Sequence, residues 1–226
     1  MSAERGLALF DLDGTLLPID SDHAWGEFMV ALGWVDADGF RSGNDAFYAQ
    51  YQAGALDIDA YIDFATAPLR AQHAAARTAA RERFMREVIA PAVRPVAREL
   101  VEAHRARGDR LALVTSTSDF ITAPIAAAFA IDTLIATNLE CAVDGAPTGR
   151  IAGIPAFREG KVVRVGQWLA ASGADWSGFS RISVYSDSVN DLALLEKATD
   201  PVATNPSAEL EAIARARKWR VLNLFA

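Results

Sequence analysis

Two acidic motifs carry the residues most able to do chemistry. Asp11-Leu12-Asp13-Gly14-Thr15 follows the apolar run Leu7 to Phe10, and Ser186-Asp187-Ser188-Val189-Asn190-Asp191 follows Ile182 to Tyr185. Side chains alternate on extended backbone, so carboxylates two residues apart at a strand end point the same way and repel unless a cation lies beside them. A hard divalent ion such as Mg²⁺ suits that oxygen set. If both runs are strands of one sheet, Asp11 and Asp187 become ligands of one ion. The first motif also reads as an Asp-rich turn in which Gly14 permits a sharp exit, and Asp191 also reads as a helix N-cap.

Two further residues suit an anion. Thr115 ends the apolar run Leu111 to Val114, and Lys161 follows Gly160 at the start of a helical pattern. A hydroxyl and an ammonium over strand ends can hold phosphoryl oxygens, one by hydrogen bonding and one by charge. Either residue alone is as readily structural or solvated.

The elements that must position these groups are legible from spacing. Leu7 to Phe10, Leu111 to Val114, Thr133 to Ile135 and Ile182 to Tyr185 are short apolar runs separated by helical patterns, the signature of buried parallel strands. Pro95 to Arg107 places Val96, Leu100 and Val101 on one face and stops at Gly108; Val162, Val165 and Leu169 repeat the helical spacing. Alternating strands and helices make an α/β doubly wound parallel sheet, with ligands at the carboxyl ends of its strands.

Between about residues 19 and 90 the alternation stops. Trp25, Phe28, Met29 and Leu32, then Phe47 and Tyr51, then Tyr61, Phe64 and Ala65 form helical stripes without an intervening strand. The expected organisation is a core of residues 1–18 and 91–226 with a small helical cap of residues 19–90 serving as a lid. A hairpin is expected over Asn138 to Ile151, with turn signals at Asp144-Gly145 and Thr148-Gly149.

Composition limits the alternatives. With 22 Lys+Arg against 29 Asp+Glu the net charge is −7, which argues against nucleic acid as a partner. No apolar stretch approaches the roughly 18–20 residues of a membrane span, and no secretory signal is visible, so no membrane partner is expected. Cys141 is the only cysteine, which excludes an internal disulfide and a cysteine-based zinc site. The expected location is cytoplasmic.

In this order, Asp11, Asp13, Thr15, Thr115, Lys161, Asp187 and Asp191 resemble the haloacid-dehalogenase superfamily, whose pattern is Asp-x-Asp-x-Thr, a strand-end Ser/Thr, a Lys and a final Asp-x-x-x-Asp. The helical insert sits where the family's cap sits, and the branch it resembles is the phosphoserine-phosphatase-like one. The resemblance implies a hydrolase of small phosphate monoesters that uses Mg²⁺ and an aspartyl-phosphate. Asp11 would be the nucleophile and Asp13 the acid and base. Asp11, Asp187 and Asp13 through its carbonyl would hold the metal, with Thr115 and Lys161 cradling the phosphoryl group and Asp191 orienting Lys161 or a metal-bound water. Thr115, Ser116, Lys161, Asn190 and Asp20 would contact substrate.

Asp20 stands where that branch holds a glutamate facing the substrate's amine, which points to an amino-alcohol or amino-acid phosphate such as histidinol phosphate or phosphoserine. It also reads as the N-cap of the helix carrying Trp25. Gly14, Thr115-Ser116-Thr117 and Ser186-Asp187-Ser188 depart from the branch's Ser, Ser-Gly-Gly and Gly-Asp-Gly. A phosphomutase or phosphotransferase on the same fold, or a protein that only binds a phosphorylated metabolite, is the alternative. Arg41 and Arg70 are candidate cap contacts for an anion. His104 is expected as a packed helix residue, while His23, His73 and Cys141 have no partners that would mark chemistry.

Overall fold

A computed structural model describes residues 6–225. Six parallel strands form the sheet: β1 (Gly6–Phe10), β2 (Arg110–Ser118), β3 (Leu134–Thr137), β6 (Arg181–Ser186), β7 (Asp200–Thr204) and β8 (Arg220–Leu222), in the order β3-β2-β1-β6-β7-β8. β4 (Leu139–Cys141) and β5 (Pro147–Ile151) pair separately as an antiparallel hairpin. The helices are α1 (Ser21–Ala31), α2 (Ala37–Gln52), α3 (Ile58–Arg70), α4 (Ala74–Phe84), α5 (Ala90–Ala92), α6 (Pro95–Ala106), α7 (Asp119–Ala128), α8 (Glu159–Ala171), α9 (Leu192–Leu195) and α10 (Ala208–Ala216).

The central strand shows why its sequence is apolar throughout. Ala8 and Phe10 face a layer containing Trp25, Val101 and Ile125, whereas Leu7 and Leu9 face Val165, Leu169 and Leu210. Both faces are covered, so alternation gives way to a continuous apolar run. The chain winds outward from β1 through β2 to β3, then returns to β6 on the other side of β1. That reversal opens a crevice at the carboxyl ends of β1 and β6, the place where such sheets bind ligands.

Only helical structure lies between β1 and β2. Trp25 is 2% exposed and meets Phe84 and Phe120 edge-on, at centroid separations of 5.1 and 5.7 Å, so α1 shares its core with the sheet. Farther out, Phe40 of α2 stacks on Phe64 of α3 at 4.7 Å.

Three expectations need correction. β2 does not end at Thr115 but continues to Ser118. Thr148-Gly149 is no turn; it lies within β5, and the hairpin turns at Asp144-Gly145. Gly149 has a φ of +91°, a backbone conformation that any side chain would strain, and a Cβ there would also displace the Arg70 guanidinium on α3. Finally, β7, α10 and β8 extend the sheet beyond the four strands expected; β8 has only three residues, too few to display a period.

Candidate active site

Lys161 sits between two carboxylates. Its Nζ donates to Asp11 Oδ1 at 2.8 Å and Asp191 Oδ2 at 2.7 Å, and all three residues are buried. Burial by itself would lower the ammonium pKa, but the adjacent charges of Asp11 and Asp191 outweigh it and hold the pKa above its ordinary value. Asp191 also accepts from Ser186 Oγ at 2.8 Å and makes no helix-capping bond, so it serves the lysine and not the helix. Burial nevertheless raises Asp191 to about 6. Lys161 lies in the first turn of α8, which begins two residues earlier than its sequence pattern suggests.

Asp11 and Asp187 arrive from the ends of the neighbouring strands β1 and β6. Thr15 Oγ1 lies between them, 3.4 Å from Asp11 Oδ2 and 3.2 Å from Asp187 Oδ1, and its single hydrogen satisfies one at a time. Burial, then the charges of Asp11 and Asp191, push the Asp187 carboxyl well above its usual range. Such crowding of hard anionic oxygens fits Mg²⁺. Among the described residues no three His, Cys, Asp or Glu side chains cluster as a metal cage, because Asp13 turns its carboxylate elsewhere and would offer only its carbonyl.

The Asp13 carboxylate is fixed by two donors, Ser21 N at 2.7 Å and Thr117 Oγ1 at 2.8 Å. Burial and the nearby charge of Asp20 raise its pKa well above the ordinary value. Thr115 is 1% exposed, and its Oγ1 accepts from Thr117 N at 3.2 Å, which leaves the hydroxyl hydrogen free to donate. Ser116 Oγ is buried and has no partner in the protein. Asp11, Asp13, Thr115, Ser116 and Thr117 form the floor of one cavity.

The roof comes from the helical insert: Asp20, Asp22, His23, Asn44, Phe47, Tyr48, Tyr51, Leu56, Ile58 and Tyr61. Asp20 is at this cavity and is also the N-cap of α1, where its Oδ1 accepts from Asp22 N at 3.0 Å and His23 N at 2.8 Å. Asn190 is not in the cavity lining; its Nδ2 donates to the carbonyl of Tyr51 at 3.0 Å and ties α2 to the sheet. Arg41 and Arg70 are both turned away, paired with Glu27 and Asp63 at 2.9 and 2.8 Å.

A family model described as haloacid dehalogenase-like hydrolase matches residues 8–196. The chain belongs to that family. Over 219 residues it is 43% identical to a histidinol-phosphatase of Neisseria meningitidis serogroup C, covering 97% of this chain and 99% of the relative. It is 30% identical to phosphoserine phosphatase SerB1 of Mycobacterium tuberculosis, covering 95% of this chain and 69% of that one. A crystal structure of a protein of unknown function from Bordetella pertussis Tohama I superposes with a TM-score of 0.92 at 49% identity, covering 98% and 99% of the two chains. At 18% identity, a phospho-aspartyl intermediate analogue of phosphoserine phosphatase shares the fold, with a TM-score of 0.67 over 97% of this chain and 93% of that one. As a haloacid dehalogenase-like hydrolase with these relatives, the chain is a phosphatase acting on phosphate monoesters.

Several groups in this haloacid dehalogenase-like site escape a reading of the sequence. Thr117 could have been found, since it closes the polar run Thr115-Ser116-Thr117 at the end of β2. Ser186, Asp22 and Tyr61 carry no such signal. His23 enters the cavity wall, pairing with Asp45 at 2.9 Å, and His73 caps α4. Cys141 is largely exposed in the hairpin, and partial desolvation of its thiol together with the nearby charge of Asp119 raises the pKa, opposite to what a nucleophile needs. His104 is buried as expected, between Asp109 Oδ2 and Tyr185 Oη at 2.7 Å each.

Proposed function

We propose that this phosphatase is Mg²⁺-dependent, works through an aspartyl-phosphate on Asp11, and acts on a small amino-alcohol or amino-acid phosphate. The observation that carries the reading is the salt bridge by which Lys161 Nζ, buried behind the cavity floor, holds Oδ1 of the floor residue Asp11, with the floor residue Asp13 held by Thr117 and Ser21. Lys161 holds one oxygen and orients the other toward the incoming phosphorus. Asp11 attacks, the ester oxygen leaves with a proton from Asp13, and Asp13 then takes a proton from the water that releases phosphate. Thr115 and Ser116 offer hydroxyl hydrogens to the phosphoryl oxygens.

The cavity lining contains four aspartates and no Lys or Arg, so a phosphate dianion needs a cation at its floor. Bound by Asp11, Asp187 and the Asp13 carbonyl, Mg²⁺ would supply that charge and draw electron density from phosphorus. Amino-phosphates are favoured by the acidic roof and by the histidinol-phosphatase and phosphoserine phosphatase names of the relatives. A small cavity of this kind takes no nucleic acid, no described helix is long and apolar enough to cross a membrane, and the lone thiol suits the reducing cytoplasm.

The deciding experiment measures phosphate released from a panel of amino-alcohol, amino-acid, sugar and aryl phosphates, with Mg²⁺ and after exhaustive chelation. Turnover that requires Mg²⁺ and favours amino-phosphates is expected. Undiminished turnover after chelation would refute the shared metal site, and preference for sugar phosphates would refute the substrate class.

A further inference from the structure

The acidic residue best placed to meet a substrate cation is not Asp20. One Asp20 oxygen already accepts two backbone N–H groups at the start of α1, and that helix end neutralises part of its charge. Asp22, two residues on, lines the same cavity without such an occupation. Among the described residues no side-chain or backbone donor hydrogen-bonds the Asp22 carboxylate; Tyr61 lines the same cavity, and the charges nearest Asp22 are Asp20 and His23. His23 is itself committed to Asp45. Burial holds the Asp22 carboxyl at about 7, the behaviour of a group deprived of a counter-charge.

The surroundings define what the missing partner is. Phe47, Tyr48, Tyr51 and Tyr61 offer aromatic faces, which attract cations and flat rings. Asn44 is 3% exposed, lines the cavity, and makes a single long bond from Nδ2 to the His23 carbonyl at 3.4 Å, so its amide retains capacity for a ligand. No Lys or Arg faces the cavity, and the candidate arginines are spent on Glu27 and Asp63. A substrate carboxylate would therefore meet Asp20 and Asp22 with nothing to pair it, and unpaired like charges at close quarters are strongly rejected.

We infer that Asp22, in the roof of the cavity, is the specificity-determining residue, and that it selects phosphate esters of amino alcohols that carry a cation and no carboxylate. This rests on the phosphatase reading above and narrows it: amino-acid phosphates are excluded, although one relative bears the name of a phosphoserine phosphatase. Asp20 keeps the helix that presents Asp22 in place.

The test has two arms, and the first needs no variant. With Mg²⁺, kcat/KM is measured for phosphoethanolamine, L-histidinol phosphate, O-phosphoserine and an aryl phosphate. Phosphoethanolamine and O-phosphoserine differ only by the carboxylate. The better amino-alcohol ester should exceed O-phosphoserine at least 10-fold; equal turnover of O-phosphoserine overturns the inference while leaving the phosphatase reading intact. No hydrolysis of any ester, the aryl one included, would sink that reading and the inference with it.

The second arm compares Asp22→Asn, Tyr61→Phe and Asp20→Asn, the last of which retains a helix-capping side chain. Loss of a charge-assisted hydrogen bond predicts that Asp22→Asn lowers the amine-to-aryl ratio of kcat/KM about 10-fold to 100-fold. Tyr61→Phe, which removes a polar group from the same cavity wall, should lower it less, and Asp20→Asn should lower it least. If Asp20→Asn proves more damaging to the ratio than Asp22→Asn, or if Asp22→Asn depresses all substrates equally, the assignment to Asp22 is wrong.

Discussion

A Cβ at position 14 would lie 2.4 Å from Asp187 Oδ2, on a residue whose φ of +71° already disfavours any side chain. Gly14 thus admits the Asp187 carboxylate to its place beside Asp11. Its departure from the serine of the related branch has a local reason: here the loop after β1 and the loop after β6 share that space. Gly14→Ala should displace Asp187 and strain the loop by about 1 kcal/mol. The expected readouts are a higher Mg²⁺ concentration for half-maximal activity and at least a 10-fold fall in kcat/KM, with the melting temperature lower by roughly 2–4 °C. An unchanged Mg²⁺ requirement would show that Asp187 does not serve the metal.

Asp11→Asn preserves shape while removing the proposed nucleophile. Losses of comparable nucleophiles cost roughly 10⁴-fold to 10⁶-fold in rate, and a fall of that order is expected in a protein with native circular dichroism. Lys161→Met has a different signature. It leaves Asp11 and Asp191 buried without their shared cation, and breaking a buried pair costs about 3–5 kcal/mol, so denaturant unfolding should show a loss of stability as well as of activity. A folded, active Asp11→Asn enzyme would end the aspartyl-phosphate mechanism.

Thr117 donates to Asp13 at 2.8 Å, and in the proposed mechanism it would position the carboxyl that protonates the leaving group. Thr117→Val should reduce kcat about 10-fold for alkyl phosphates, a fraction of the roughly 10²-fold to 10⁴-fold that general acid catalysis contributes. Aryl phosphates, whose leaving oxygen needs little protonation, should suffer less, and Thr117→Ser should recover the alkyl activity. Equal losses on both classes would make Thr117 a packing residue only.

The site also predicts how stability depends on pH. Asp13, Asp20 and Asp187 are raised by burial, as are Asp191, to about 6, and Asp22, to about 7. Between the unfolded carboxylate value of about 4 and those folded values, the native chain binds more protons than the unfolded one, so stability falls as pH rises. His104 opposes this: burial lowers its pKa, so its contribution weakens as pH drops below about 6.5. Five carboxylates against one imidazole leave the first effect dominant. The melting temperature of the metal-free protein should be several degrees higher at pH 5.5 than at pH 8. Mg²⁺ at pH 8 should recover part of the difference, and Asp22→Asn should shrink it. A melting temperature that rises from pH 5.5 to pH 8 would contradict the account.

The sequence by itself determined the parts that depend on near neighbours in the chain. The apolar runs ending at Asp11, at Thr115 and at Ser186 mark strands because burial on both faces demands unbroken apolar residues, and the acidic motifs after two of them locate the chemistry. The stripes through Trp25, Phe28 and Met29 mark the helical insert by the same local periodicity. β8 escaped because three residues show no pattern, and β7 because Asp200, Pro201 and Thr204 leave only Val202 and Ala203 as an apolar run; the pairing of both is a long-range event.

Only the tertiary structure decided which partners those residues take. Asp191 fits a helix cap or a lysine partner equally well until β6 and α8 are brought together; Lys161 at 2.7 Å settles it, across 30 positions of sequence. Asp20 reads as a cap or a cavity residue until the structure shows it as both, and Asp22 reaches the same cavity as Tyr61, which arrives on a different helix. Arg41 and Arg70 are drawn from the cavity by Glu27 and Asp63. Charge and hydrogen bonding act through space over a few ångströms, whereas spacing along the chain reports only which face of its own element a side chain shares. What the residues can do was written in their types; which of them do it together was fixed when the sheet and the helical insert closed over one cavity.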